Sequence, residues 1–277
     1  GRGRPPATGR ARGQEPPVLL PPPTPRVDGP ARGPPGRPTL APAPASVGAA
    51  GHLPTTQGGL AERVALPTRM LVALPPTLDL RTAVLAEPAA VAWHAVERAG
   101  GVDGVRVAVI GAGPIGLLAV AVARHHGAAE VTATDLHPLP RALAEARGAR
   151  TLDARDDAGI EELHADVVIE SSGTVPGLAA AVSAARRGGT VVLLGLQAAG
   201  GVTAPLATAI TRELTLTGSF RFGAELSPVL GALADGTLDV HGIITHVVPA
   251  SEAVGAFETA ADPSMSSKVV LSFGDGD

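Results

Sequence analysis

One glycine-rich segment carries the strongest chemical signal in the sequence. Residues 107–116 read VAVIGAGPIG, an apolar run followed by three glycines at the spacing GxGxxG. In such a loop Gly111 permits the tight strand-to-helix turn, Gly113 lets the backbone approach a pyrophosphate, and Gly116 lets the helix pack against the strand. Amides at the start of the helix then bind phosphate. The residues predicted to hold the phosphates are Gly111, Gly113, Pro114, Ile115 and Gly116.

An acidic residue follows at the spacing of a dinucleotide-binding unit. Asp135 ends the next predicted strand, 24 residues after Gly111 and 19 after Gly116. A carboxylate at this strand tip accepts hydrogen bonds from a ribose diol. Because it repels a 2′-phosphate, it favours NAD over NADP, and the nearby Arg141 would soften that preference. The alternative for these residues alone is a glycine turn beside a solvated aspartate.

The segments around this loop alternate between strands and helices, which predicts an α/β fold with a doubly wound parallel sheet, a Rossmann domain. Continuous apolar runs such as Val107–Ile110 are typical of strands that are buried on both faces. The other predicted strands are Glu130–Thr134, Arg150–Leu152, Val167–Glu170, Thr190–Leu194, Leu214–Gly218, Ile243–Val248 and Lys268–Phe273. The predicted helices are 82–99, 114–126, 141–147, 160–164, 176–187, 205–213, 224–234 and 252–261.

Two later strand ends are predicted to face the same ligand. Glu170-Ser-Ser172-Gly173 ends the fourth strand and Gly195 follows the fifth. In an open parallel sheet, ligands bind at the carboxyl ends of the strands, near the point where the strand order reverses. Ser172 and Gly195 are therefore predicted to contact the cofactor, although Gly173 and Gly195, taken singly, are more typical of ordinary turn glycines.

The first fifty residues differ in composition from the rest. Residues 1–50 hold 14 of the 27 prolines and a local charge of +5, against −9 for residues 51–277. Proline removes backbone donors, so this stretch is predicted to be low in structure. It reads as a plain tail, a ligand for proline-binding modules, or translated sequence upstream of the true frame. Two short strands, Val64–Leu66 and Met70–Leu74, are predicted after it.

Composition excludes several classes of function. With no cysteine, the chain has no disulfide framework, thiolate metal site or cysteine nucleophile. The acidic body gives no basic surplus for nucleic acid. No apolar stretch reaches the length of a membrane span, and no signal peptide is recognisable. The expectation is a cytoplasmic protein without membrane or nucleic-acid partners.

Taken together, these motifs resemble the zinc-dependent medium-chain dehydrogenases, over about residues 53 to 273. Within that family they look most like the polyol branch, the L-idonate 5-dehydrogenase type. The resemblance implies a GroES-like catalytic domain beside a Rossmann domain, and NAD-linked oxidation of a secondary alcohol of a polyol or sugar acid, often in homo-oligomers. The motifs are Gly58-Gly59, Glu87-Pro88 through His94, the glycine loop, Asp135, Gly218-Ser-Phe-Arg221-Phe and Ile244-Thr-His246.

The resemblance also implies site residues outside the glycine loop. Glu87 matches a carboxylate position of the family's zinc site, and Arg221 lies in a segment that the family places near nicotinamide. The family's cysteine and His-Glu ligands are missing here, so Glu87 is predicted to be a vestigial ligand without partners and zinc is not expected to bind. His94, seven residues after Glu87, is interpreted as a packed helix residue.

The resemblance implies that the chain is part of a larger enzyme and inactive alone. Residues 1–52 would be the tail, 53–82 a remnant of the catalytic domain, 83–240 the Rossmann domain, and 241–277 the return to the catalytic domain. An exposed apolar patch is expected around residues 53–80 and 243–273. Two other hypotheses stay open: a non-catalytic dinucleotide-binding module, and a zinc-free reductase of the quinone type.

Overall fold

The computed structural model describes residues 59–273, apart from residues 62, 65, 67, 69 and 70. The predicted tail at 1–52 lies outside the described residues, and so does Met70 at the start of one predicted strand. Among the described residues, no helix has both the length and the apolar character needed to cross a membrane.

Six strands form one parallel sheet in the order β3-β2-β1-β4-β5-β6. The order reverses direction between β1 and β4, so a crevice opens at their carboxyl ends. This confirms the predicted Rossmann-type sheet. The strands are β1 (Arg106–Ile110), β2 (Glu130–Asp135), β3 (Arg150–Asp153), β4 (Ala165–Glu170), β5 (Ala185–Leu193) and β6 (Thr215–Gly218).

Helices cover both faces of this sheet, and a second, two-stranded parallel sheet follows it in the chain. The helices are α1 (Leu80–Ala83), α2 (Ala86–Arg98), α3 (Pro114–His125), α4 (Pro138–Glu145), α5 (Asp157–Glu161), α6 (Val175–Ala184), α7 (Leu206–Thr211), α8 (Leu226–Ala234) and α9 (Ala253–Ala260). The strands of the second sheet are β7 (Ile244–Pro249) and β8 (Lys268–Ser272), in parallel register.

Strand β1 shows why the glycine loop is held firmly. Val107 and Val109 pack into one core with α2, α3 and α8, while Ala108 and Ile110 pack into the opposite core with α6. Successive side chains of a strand point to opposite faces, so an all-apolar strand is stabilised from both sides. The turn that follows Ile110 therefore begins at a rigid point.

The segment predicted as a helix over 82–99, with Pro88 as a kink or a first-turn residue, is two helices, and Pro88 lies in the first turn of the second. Helix α1 begins at Asp79, whose carboxylate accepts a hydrogen bond from the amide of Thr82. Helix α2 begins after Leu85 and places Pro88 in its first turn. A proline ring clashes with the carbonyl four residues earlier, here Val84, so one continuous helix cannot pass through this point.

Several other boundaries also differ from the sequence predictions; for example, α4 is Pro138–Glu145 rather than 141–147, and α5 is Asp157–Glu161 rather than 160–164. Helix α6 ends at Ala184 rather than Arg187, because Ala185 pairs with Ala165 and starts β5. The described residues of the predicted strands 64–66 and 70–74 form no strand. They are short apolar pieces that find no pairing partner among the described residues, and a strand is stable only within a ladder.

Candidate dinucleotide site

The three glycines of the loop occupy three different environments. Gly111 has φ +92°, a conformation that L side chains rarely adopt. A Cβ added to Gly116 would lie 1.9 Å from the carbonyl oxygen of Gly111, so this glycine sets the contact between helix and turn. A Cβ on Gly113 would meet no atom within 4 Å. Space is thus left open only at the glycine that a pyrophosphate would approach.

The first turn of α3 presents its backbone to that space. Gly113 is the N-cap and, lacking a side chain, makes no side-chain cap, while Pro114 takes the first helical position. The first amides of a helix have no partner within it, and the helix dipole favours an anion there. Ile115 and Gly116 follow directly and contribute amides to this turn.

Asp135 lies beside the glycine loop, at the carboxyl end of β2. One carboxylate oxygen accepts a hydrogen bond from the amide of Ala112 at 2.9 Å, and the other accepts from the amide of His137 at 2.9 Å. The side chain is half-buried. These bonds fix the carboxylate next to the loop, and each oxygen has a second lone pair for a ligand hydroxyl.

The end of β4 contributes a buried carboxylate that sequence reasoning did not single out. Glu170 is 0% exposed, and one of its oxygens accepts from the amides of Ser172 at 2.8 Å and Gly173 at 3.0 Å. Its other oxygen accepts from the Gln197 side chain at 3.2 Å. A buried polar side chain is normally hydrogen-bonded, because burying an unpaired one is costly. The signal available in the sequence was an acid at the last position of an apolar strand.

These bonds bring the β4 and β5 loops against each other and against the glycine loop. The Ser171 hydroxyl donates to the carbonyl of Gly111 at 2.6 Å. A Cβ on Gly195 would lie 2.2 Å from the amide nitrogen of Gly173, so at this point the two loops touch through their backbones. Ser172 itself is exposed. The structure thus places Ser172 and Gly195 at the same edge as Gly111.

Arg221 lies on a different loop, beyond the carboxyl end of β6. Its φ of +58° is rare for a residue other than glycine, and its guanidinium carbon is 5.0 Å from the centre of the Phe220 ring. Nearby, the buried hydroxyl of Ser219 has no hydrogen-bond partner among the described residues. No hydrogen bond in the described part of the chain joins Arg221 to the glycine loop, so its contact with cofactor stays a prediction.

Glu87 is exposed in the first turn of α2. Zinc takes three or four protein ligands. Within the described residues, Glu87 belongs to no group of three His or carboxylate side chains with closely spaced ligand atoms. The residues described around it therefore do not fit a zinc ion.

A different cluster of ligand-type side chains occurs on α2 and before α8. Ligand atoms of His94, Glu97 and Glu225 lie within 4.8 Å of one another. Nδ1 of His94 is 2.6 Å from a carboxylate oxygen of Glu225, and the Trp93 indole donates to Glu97 at 3.1 Å. His94 thus ties α2 to the start of α8, a more specific role than the packed helix residue predicted.

The two carboxyl groups of this cluster have opposite shifts. Burial, and then the charge of Glu225, raise the pKa of Glu97. Burial also acts to raise the pKa of Glu225, but hydrogen bonds from His94 and from backbone amides outweigh it and the pKa falls. Glu225 is therefore the ionised partner of His94. Its negative charge disfavours the ionised form of Glu97.

Comparison with known proteins identifies relatives of this site and fold. The family model described as "Zinc-binding dehydrogenase" matches residues 114–235. L-idonate 5-dehydrogenase (NAD(P)(+)) of Escherichia coli K12 is 33% identical over 233 residues, which cover 82% of this chain and 67% of the relative. D-xylulose reductase A of Aspergillus niger is 34% identical over 221 residues, or 74% and 61% of the two chains.

Solved structures of dehydrogenases also resemble this chain. The crystal structure of L-idonate 5-dehydrogenase from Escherichia coli superposes with a TM-score of 0.76 at 30% identity, covering 81% of this chain and 66% of that one. A Sinorhizobium meliloti protein named as a zinc-binding dehydrogenase and bound to NADP superposes with a TM-score of 0.71 at 30% identity, covering 78% and 66%.

These matches cover most of this chain but only part of each relative. The chain spans about two thirds of the length of the relatives that it matches. By its sequence and its fold, this chain belongs to the zinc-dependent medium-chain dehydrogenase family.

Proposed function

We propose that the described part of this chain binds NAD at the carboxyl edge of the six-stranded sheet. The open space at Gly113, beside the first turn of α3 and the fixed carboxylate of Asp135, is the observation that carries this proposal. The α3 amides hold the pyrophosphate and Asp135 accepts from the adenosine ribose. Ser172, Gly195 and Arg221 are proposed to line the remainder of the cofactor.

We further propose that the protein is an oxidoreductase acting on a secondary alcohol of a sugar acid or polyol. Its relatives include an L-idonate dehydrogenase and a D-xylulose reductase, which supports that substrate class. Bound NAD supplies the hydride acceptor. The chain's own residues bind and orient the cofactor. Because the described residues around Glu87 offer no zinc site, we expect no turnover from them alone.

We propose that cofactor binding and catalysis belong to different predicted domains. Residues 83–240 contain the six-stranded sheet and would form the cofactor domain, while 53–82 and 241–277 would belong to the catalytic side. The sheet edge at β6 is largely exposed along Thr215–Gly218, and we propose it as the contact between subunits of a homo-oligomer.

A non-catalytic dinucleotide-binding module is the second candidate function. The lack of a described ligand set around Glu87 favours it. Turnover of NAD by the purified chain with L-idonate or sorbitol would exclude it. A zinc-free quinone-type reductase is a weaker alternative, because such an enzyme has no need of a carboxylate at Glu87-Pro88.

The test of the cofactor site is calorimetric titration of NAD and NADP into variants of Asp135. In Asp135→Ala, we expect NAD affinity to fall about tenfold and the preference over NADP to shrink, because a ribose acceptor and a negative charge are lost. Asp135→Asn is the milder variant, since it loses the charge but keeps one acceptor oxygen, enough for the amide of either Ala112 or His137. Unchanged affinities for both cofactors in both variants would contradict the ribose role.

A further inference from the structure

A second carboxylate lies next to Asp135, at the carboxyl end of β3. In the parallel register of β2 and β3, Asp135 and Asp153 are direct partners. Neighbouring strands lie about 4.8 Å apart. The tip of the sheet where the ribose would bind therefore carries two adjacent acidic residues rather than one.

Arg141 lies between these two strand ends. Its Nη1 donates to the backbone carbonyl of Asp135 at 2.7 Å and to the carboxylate of Asp153 at 2.9 Å. Its side chain is only 21% exposed, so the guanidinium is folded onto the sheet edge. An arginine has five N–H donors, and both of the bonds described here use Nη1. The other nitrogens make no hydrogen bond among the described residues.

Asp153 is itself held in place. Its carboxylate accepts from the amide of Arg155 at 3.0 Å and from the Arg155 side chain at 3.2 Å. The hydrogen bond from the amide of Arg155 has the largest effect on the pKa of Asp153; together with the charges of Arg141 and Arg155 it outweighs burial, and the pKa falls. The carboxylate is therefore ionised at neutral pH and its ion pair with Arg141 is intact.

The ion pair between Arg141 and Asp153 determines whether a bound cofactor finds a free positive charge beside Asp135. A ribose hydroxyl needs only the carboxylate of Asp135, whereas a 2′-phosphate needs a cation nearby. Arg141 is the cation closest to Asp135 in the described hydrogen-bond network, and an arginine can bind phosphate through two parallel donors. Asp153 competes with a phosphate for that guanidinium.

We propose that Asp153 sets the cofactor preference of this chain by engaging the guanidinium of Arg141, which would otherwise bind a 2′-phosphate. The inference rests on the proposed NAD site. Asp135 supplies the affinity for NAD, and Asp153 supplies much of the rejection of NADP. Neutralising Asp153 leaves the ribose acceptor in place and frees a positive charge beside it.

The experiment is calorimetric titration of NAD and NADP into the full chain and its variants at constant salt. In Asp153→Asn, the ratio of NADP to NAD affinity rises about tenfold, the value of one charge-assisted hydrogen bond. The matched control is Asp157→Asn. Asp157 is exposed in the first turn of α5, so the same loss of charge changes the ratio by less than about twofold in 0.15 M salt.

A double variant shows whether the effect runs through Arg141. Adding Arg141→Gln to Asp153→Asn returns the ratio to near the wild-type value, because the residues form one coupled pair. Asp153→Ser is a second neutral replacement if the asparagine variant does not fold by circular dichroism. An unchanged ratio of NADP to NAD affinity in both Asp153→Asn and Asp153→Ser overturns the proposal. So does a rise in that ratio that persists when Arg141→Gln is added. A wild-type chain that binds neither cofactor overturns the NAD site as well.

Discussion

The two parallel sheets of this molecule are built from similar sequences but are covered very differently. In β1, four of five residues are buried, and in β2 four of six are buried. In β7 and β8 none is fully buried. The runs RVAVI and KVVLS both contain apolar residues, so the apolar pattern alone does not decide burial. What differs is the number of faces that the described helices cover.

The second sheet therefore presents an apolar surface where the first presents a closed core. Large apolar side chains are exposed in the described parts of 59–74 and 243–273, and a continuous patch formed by them stays a prediction. The exposed residues are Leu60, Val64, Leu66, Leu71, Val72, Leu74, Val247, Val254, Phe257, Met265 and Phe273. The proposed cofactor site lies at the edge of the first sheet, which has the closed core.

The largest effect is expected from Gly116→Ala, in the closed region. The added Cβ would lie 1.9 Å from the backbone oxygen of Gly111, which cannot move without shifting β1 or α3. We expect a loss of about 3 kcal/mol in the free energy of unfolding, measured by urea denaturation. Gly113→Ala is the matched control and should change stability by less than about 0.5 kcal/mol. Equal losses in both variants would contradict the packing role of Gly116.

An intermediate effect should separate the two sheets directly. Val109→Ala in β1 removes buried methyl groups from a residue that is 0% exposed, and should cost about 2 kcal/mol of unfolding free energy. Val247→Ala in β7 makes the same change at a residue that is 43% exposed, and should cost less than about 0.5 kcal/mol. If β7 were as sensitive as β1, the comparison between closed and open sheets would fail.

The smallest effect concerns Glu97, at the end of α2. Because burial raises its pKa in the folded chain, folding stability falls as pH rises from the ordinary pKa of 4.5 through the folded pKa, and the penalty is fully present above the folded pKa. Glu97→Gln should therefore stabilise the chain by a few tenths of a kcal/mol at pH 7, a gain limited by solvent screening. The gain should vanish near pH 4. Thermal unfolding at both pH values measures it.

His94→Ala should act in the opposite direction, which gives the pH comparison its control. It removes the partner that lowers the pKa of Glu225 and leaves a buried carboxylate less well satisfied. Stabilisation by His94→Ala at pH 7 would contradict the described cluster.

The local features of the fold could be predicted from the sequence, because they depend on neighbours in the chain. The turn at Gly111, the proline start of α3 and the acid ending β2 are all of this kind. The break before α2 was also readable, since Pro88 excludes a helix that includes Val84. The strand alternation then restricted the sheet to few topologies.

Features that depend on distant residues could not be predicted in this way. His94 contacts Glu225, which is 131 residues away in the sequence. Arg141 forms its side-chain hydrogen bond with Asp153 rather than extending into solvent. Nothing in the spacing of these residues distinguishes such pairs from solvated side chains. Glu170 shows the same limit, because only the packing of two loops makes its carboxylate an acceptor for both.

The most direct test is a calorimetric titration of NAD into the wild-type chain and Gly113→Ala. We predict saturable binding of one NAD per chain, and an affinity at least about tenfold weaker in the variant at unchanged thermal stability, because only the open space at Gly113 is altered. Absence of NAD binding by the folded wild type, or equal affinity in the two proteins, would contradict the proposed cofactor site.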